Sequence, residues 1–241
     1  DLGVYANLRH IRTYPQLIDS SPIKNDYLND IDIMFVRELT GGIYFGEKER
    51  LDDYAKDVCE YSTPEIQRIT KVAANLAQQR RGKITSVDKA NVMATSQLWR
   101  SVTTDYLGIN YSNIELEHML ADTATMHLLS RPGDFDVVLA DNLFGDILTD
   151  EASMLTGSIG MIPSASLGND NFGVYEPIHG SAPDIQGKEL ANPCGIILSV
   201  SMLLRYSLGL QEEASAIDKA VESVLDDGIY TVDLSKDNFV S

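Results

Sequence analysis

The hydrophobic period of this chain changes near residue 141, and that change limits what it can fold into. Residues 135–140 form a strand-like apolar run. Beyond a short turn, Phe144, Ile147, Leu148, Met154 and Leu155 recur at three- and four-residue intervals, which predicts a helix with one core-facing stripe. The alternation continues along the chain. Strands are predicted at 31–36 and 84–87. Helices are predicted from Ser62-Thr-Pro-Glu65 to about Gln79, through Met93, Leu98 and Trp99 to Gly108, and from Asn192-Pro193 to near Gly209. A further helix is predicted over 115–130, with Leu116, Met119, Leu120 and Met126 on its core face, and an amphipathic segment over 212–226. Stretches rich in Gly, Ser and Pro at 157–168 and 176–187 read as loops. Strands alternating with helices predict an α/β fold.

On the helix after residue 141, Asp146 and Asp150 lie one turn apart, away from the apolar stripe. Like charges so spaced oppose each other unless something positive sits between them. A hard divalent cation such as Mg²⁺ suits the pair, because it takes one or two carboxylates and completes its octahedron with water and substrate oxygens. Taken alone, the two aspartates read better as a solvated acidic face on an acidic protein.

Charge and cysteine count narrow the partners. The chain has 241 residues and a formal net charge of −17, which argues against nucleic acid or an anionic membrane as partner. An anionic ligand must therefore be drawn in by local Arg and Lys residues. Cys59 and Cys194 fit no metal-ligand spacing and suggest no disulfide framework, which points to a reducing cytoplasm. His118 and His127, inside the 115–130 helical pattern, read as structural.

Arg37, Tyr44 and the intervening glycines stand just beyond a predicted strand; an Arg fork there suits a carboxylate. Lys89 lies on a strand-to-helix turn, where desolvation turns a lysine into a general base. Four strings then occur in one order: RELTGGIYFGE (37–47), TSVDKANV (85–92), NLFGDILTDEASMLTGSIGMIPSASLG (142–168) and HGSAPDIQGKELANP (179–193). In these the chain resembles the β-decarboxylating dehydrogenases along nearly its whole length. The form of residues 39–44 favours the isopropylmalate branch over isocitrate, homoisocitrate or tartrate enzymes.

The resemblance implies a large mixed sheet flanked by helices, not a Rossmann fold, with family sequence missing before Asp1. About 1–8 and 150–241 would belong to a nucleotide-binding domain, and about 9–149 to a substrate and dimerisation domain. It implies that Arg9 and Arg37 hold the carboxylates of a 2-hydroxy dicarboxylate, and that Tyr44 and Lys89 move protons. Asp122, Asp146 and Asp150 would surround Mg²⁺ or Mn²⁺. The active site would be shared across a homodimer, with Lys89 and Asp122 acting in the partner's site and Asp122 also meeting substrate. His179, Gly180, Ser181, Ala182, Pro183, Asp184, Ile185 and Asn192 match the adenosine side of a dinucleotide site. Asp184, a carboxylate facing ribose hydroxyls, implies NAD⁺ over NADP⁺. Asn192 also suits the N-cap of the helix that Pro193 begins. The expected reaction is oxidative decarboxylation of 3-isopropylmalate in leucine biosynthesis. A metal-dependent phosphohydrolase built on Asp146 and Asp150 is the rival from another class, and it leaves 179–192 unexplained.

Overall fold

A computed structural model describes residues 2–235, 237 and 239–240. Seven strands form one mixed sheet: β1 (Ala6–Arg12), β2 (Asp32–Glu38), β5 (Lys83–Asp88), β6 (Glu115–Leu120), β7 (Val137–Ala140), β8 (Pro163–Leu167) and β9 (Gly173–Pro177). The two remaining strands, β3 (Lys48–Arg50) and β4 (Ala55–Asp57), pair only with each other as a hairpin. The spatial order is β6-β5-β7-β2-β1-β8-β9. The β6, β5, β7 and β2 strands run parallel, and the β2–β1, β1–β8 and β8–β9 pairs are antiparallel. This sheet is continuous across the domain limits expected near residues 8 and 150.

Parallel strands need crossovers, and helices supply them. Helices α1 (Thr63–Gln78), α2 (Ala94–Asn110), α3 (Ala121–Ser130) and α4 (Asn142–Ala152) join the parallel half, followed by α5 (Cys194–Tyr206) and α6 (Gln211–Asp226). Ile66, Ile69 and Ala73 of α1 and Trp99 of α2 cover one face of the sheet, against Leu8, Val36, Ile84 and Leu139. Ala124 and Leu128 of α3 and Leu148 and Ala152 of α4 cover the other, against Phe35, Val87 and Val138. Strands buried on both faces read as continuous apolar runs, which is why β2 and β7 were visible as such. A smaller core joins α5 and α6 through Leu198, Val221 and Leu225.

Several expectations are corrected. Residues 115–130 are not one helix. Glu115–Leu120 is strand β6, paired in parallel with β5 from Lys83↔Glu115 to Asp88↔Leu120, and only then does α3 begin. Glu, Leu, Met and His favour helix locally, but an unfilled sheet edge overrides a weak propensity. His118 accordingly sits on a strand, and Met126, expected in the core, is exposed. On α4 the stripe is shorter than expected: Leu148 and Leu155 are buried, whereas Ile147 and Met154 are exposed. The helix ends at Ala152 and continues as a 3-10 turn over Ser153–Thr156, so Met154 and Leu155 follow a different period from the helix, while Ile147 lies on its exposed side. Strand β8 runs through the expected loop at 157–168, and β1, β3, β4 and β9 carry no strong sequence signal. Helix α2 runs past Gly108 to Asn110, and α5 starts at Cys194 rather than Pro193.

Candidate active site

The parallel strands deliver their chemistry to one edge of the sheet. Arg37 is near the carboxyl end of β2, Lys89 directly follows β5, Asp122 opens α3 after β6, and α4 begins two residues after β7. In open α/β sheets this carboxyl edge is where ligands bind. Arg9 joins from β1, where it stands opposite Phe35 of β2.

The aspartates of α4 are held by cations. Arg37 Nη1 donates to Asp146 Oδ1 in a short contact, and Arg9 Nη2 lies 3.5 Å from the same oxygen. Arg9 Nη1 lies 3.6 Å from Asp150 Oδ1 and donates to Thr149 Oγ1 at 2.5 Å. The positive group required between Asp146 and Asp150 is therefore the Arg9 guanidinium, provided by the chain itself. The Tyr44 hydroxyl donates to Asp146 Oδ2 at 3.1 Å, and the Arg37 guanidinium carbon lies 5.9 Å from the centre of the Tyr44 ring. Burial and the hydrogen bond to Asp146 raise the Tyr44 pKa, so the phenol keeps its proton at neutral pH.

Local structure explains how buried arginines reach this point. Arg37 is 7% exposed, and its stem passes over α4 at Gly145. A Cβ at that glycine would stand 2.8 Å from Arg37 Cγ, so the helix must lack a side chain there. Asp141 caps α4 by accepting from Phe144 N at 2.8 Å. Burial is the main cause raising its carboxyl to about 6, with Glu38 adding to the rise against the pull of the Phe144 amide and Arg37.

Lys89 and Asp122 form a separate pair, with Nζ 2.5 Å from Oδ1. The Lys89 ammonium is the main cause holding the Asp122 carboxyl below its ordinary range. Among the described residues no hydrogen bond or ion pair joins this pair to the Arg9, Arg37, Tyr44, Asp146 and Asp150 group. Among the described residues no three acidic, His or Cys side chains converge on one point. The donor types nevertheless suit a hard cation: Asp150 is two-thirds exposed, and Asp146 is one-third exposed with its second oxygen shared only with a phenol.

Residues 179–185 form an outward loop. Gly180, Ser181, Ala182, Pro183 and Asp184 are exposed, while His179 and Ile185 are half-buried. Ala182 takes a left-handed conformation (φ 41°), and a single 3-10 turn spans Pro183–Ile185. Asn192 is placed differently. It is buried, its Oδ1 accepts from Cys194 N at 2.9 Å, and its Nδ2 donates to Asp233 Oδ2 at 3.1 Å. The expected N-cap role of Asn192 is corrected: the cap position of α5 falls on Pro193 with no side-chain cap bond, and Asn192, one residue before it, satisfies the Cys194 amide instead.

Three polar residues of the site carried no sequence signal that was used: Asn7, Asn142 and Thr149. Asn7 is two residues before Arg9 and so on the same side of β1, which alternation along a strand could have revealed.

A family model described as isocitrate/isopropylmalate dehydrogenase matches residues 1–241. The chain is 52% identical over 238 residues to the 3-isopropylmalate dehydrogenase of Anaeromyxobacter dehalogenans, an alignment covering 97% of this chain and 67% of that protein. It is 55% identical over 239 residues to the enzyme of the same name from Pseudomonas syringae pv. syringae, covering 97% and 66%. The solved structure of isocitrate dehydrogenase from Methylococcus capsulatus superimposes with a TM-score of 0.89 at 33% identity, covering 98% of this chain and 69% of that one. The chain thus spans about two thirds of the length of the curated relatives it matches. With that match running from its first residue to its last, the chain belongs to the isocitrate/isopropylmalate dehydrogenase family.

Proposed function

We propose that the protein carrying this chain oxidises and decarboxylates 3-isopropylmalate to 4-methyl-2-oxopentanoate. It would use NAD⁺ and Mg²⁺ or Mn²⁺, as a cytoplasmic homodimer in leucine biosynthesis. One observation carries the reading: Arg9, Arg37, Tyr44, Asp146 and Asp150 meet at the carboxyl edge of the parallel strands. Relatives of that name at 52–55% identity support the substrate.

Arg9 and Arg37 bind and orient the two carboxylates of the substrate, offsetting an otherwise acidic chain. Asp146 and Asp150 would hold the cation, joined by Asp122 from the second copy of the chain. The bound groups supply Lewis-acid polarisation of the substrate oxygens and acceptance of the hydride. Lys89, contributed with Asp122 across the dimer, would take the hydroxyl proton at Nζ in its neutral amine form, becoming the ammonium. Tyr44, kept protonated by its surroundings, donates from its hydroxyl to the carbon left after carbon dioxide departs. The 179–185 loop takes the adenosine half of NAD⁺, and Asp184 accepts from the ribose hydroxyls and so disfavours a 2′-phosphate.

The test is NADH formation by the full-length protein with 3-isopropylmalate, isocitrate, homoisocitrate and tartrate in turn. The expected result is a preference for 3-isopropylmalate by at least about 100-fold in kcat/KM, the scale of discrimination by an apolar pocket between side chains. A preference for isocitrate would overturn the substrate assignment and leave the family untouched.

A further inference from the structure

Arg9 and Arg37 are each gripped along the Nε edge by a neutral amide. Asn7 Oδ1 accepts from Arg9 Nε at 2.9 Å, and Asn142 Oδ1 accepts from Arg37 Nε at 2.9 Å and Nη2 at 2.7 Å. Both asparagines are buried, Asn142 completely. Chemistry settles which way the amides point. A guanidinium can only donate, so the atom facing it is oxygen. The other end of Asn142 meets the carbonyls of Leu39 and Gly41 at 3.2 and 3.1 Å, which can only accept, so that end is nitrogen. Asn7 Nδ2 ends on Ser164 Oγ and Ser166 Oγ, at 2.9 and 3.0 Å.

Arginines elsewhere in the chain are held by carboxylates. Arg80 Nε reaches Asp136 at 2.8 Å, Arg100 Nε reaches Asp88 at 2.9 Å, and Arg205 Nη2 reaches Asp218 at 2.7 Å. A carboxylate makes the stronger hydrogen bond to a guanidinium, but it also cancels the charge. At the site, two guanidiniums already face the two carboxylates of Asp146 and Asp150. A further protein carboxylate in place of either amide would give the cluster net negative charge and repel an anionic substrate, in a chain whose net charge is already −17.

The geometry points to Asn7 and Asn142 as positioning residues that orient Arg9 and Arg37 without adding negative charge to that of Asp146 and Asp150. Their neutrality sets the affinity for a doubly charged substrate. This inference rests on the dehydrogenase reading above for the identity of the substrate, though not for its charge.

Asn7→Asp in the full-length protein is the test. It is preferred to Asn142→Asp because the hydroxyls of Ser164 and Ser166 can turn to donate to a carboxylate, whereas the carbonyls of Leu39 and Gly41 cannot. With 3-isopropylmalate, Asn7→Asp should raise KM about tenfold or more while kcat stays within about threefold, the pattern of lost binding common to ground and transition states. Asn7→Leu keeps the charge and loses the orientation, so it should lower kcat as well. Alongside turnover, thermal-shift titration with succinate as dianion probe should show half-saturation moved upward about tenfold in Asn7→Asp. Near wild-type KM and succinate response in Asn7→Asp, together with impairment in Asn7→Leu, would overturn the role of neutrality. If the wild type fails to turn over 3-isopropylmalate, the dehydrogenase reading fails, and the succinate comparison still decides the inference.

Discussion

At the scale of single residues, Asp141 shows how a local gain opposes a global cost. It caps α4, a contact typically worth about 1 kcal/mol, yet burial raises its carboxyl to about 6. A group whose folded pKa is raised leaves stability intact below its unfolded value of 3.8, and removes stability as pH climbs through about 6. Ionising it at neutral pH costs on the order of 3 kcal/mol by linkage. Asparagine caps a helix equally well and stays neutral. Asp141→Asn should therefore be more stable than wild type at pH 7–8, with the advantage fading toward pH 4. Urea midpoints across that range check it, and parallel profiles would show that Asp141 is not titrating. Asp146 differs, because its charge is used. On the proposed reading Mn²⁺ should raise Tm by mass action, and Asp146→Asn should abolish that rise and lower turnover sharply. An unchanged metal-dependent Tm would remove Asp146 from the cation site.

Elements impose constraints that no single residue reveals. Gly145 lies inside α4, where Ala is favoured by about 0.8–1 kcal/mol on propensity alone. The added methyl would meet the β- and γ-carbons of Arg37 at 2.9 and 2.8 Å, which cannot swing aside as a side-chain tip can. Gly145→Ala should therefore lower Tm and raise KM for the proposed dianionic substrate about tenfold, as expected when the Arg37 stem is displaced. A lower KM would mean that propensity outweighs the clash. Helix α1 shows the reverse case, in which local signals decided the element. Glu65 accepts from Ser62 N at 2.7 Å, a capping box at the helix start predicted over Ser62-Thr-Pro-Glu65. Strand β6 lacked any such signal. Its sequence favours helix, and only the open edge of β5, far away in the chain, makes it a strand.

For the whole molecule, the proposed shared site would bring Lys89 and Asp122 of one copy to the Arg9–Arg37–Asp146–Asp150 group of another, because among the described residues no hydrogen bond or ion pair joins the two groups within one chain. A shared dimeric site makes a quantitative prediction for the full-length protein. Co-refolding inactive Lys89→Ala with inactive Tyr44→Phe should restore about a quarter of wild-type activity, since half of randomly assorted C₂ dimers are mixed and each has one intact site. No recovery, with mixed dimers verified by mass, would place Lys89 in its own chain's site.

The sequence by itself determined what local and repeating patterns encode. The period change at residue 141 is local, as are the capped start of α1, the apolar β2 and β7, and the motifs bearing Arg37, Tyr44, Lys89, Asp146 and Asp150. Each follows from the residues' own spacing and chemistry. The tertiary structure alone decided that residues 115–120 are a strand, that Ile147 and Met154 face outward, and that the charge between Asp146 and Asp150 is Arg9. It also decided that Asn7 and Asn142 hold the two arginines. These outcomes depend on which strand lies beside which, and on Arg9 meeting residues about 140 positions away. Hydrogen-bond and charge partners so distant in the chain leave no period in the sequence, because they are chosen by the sheet order after folding and not by neighbours along the backbone.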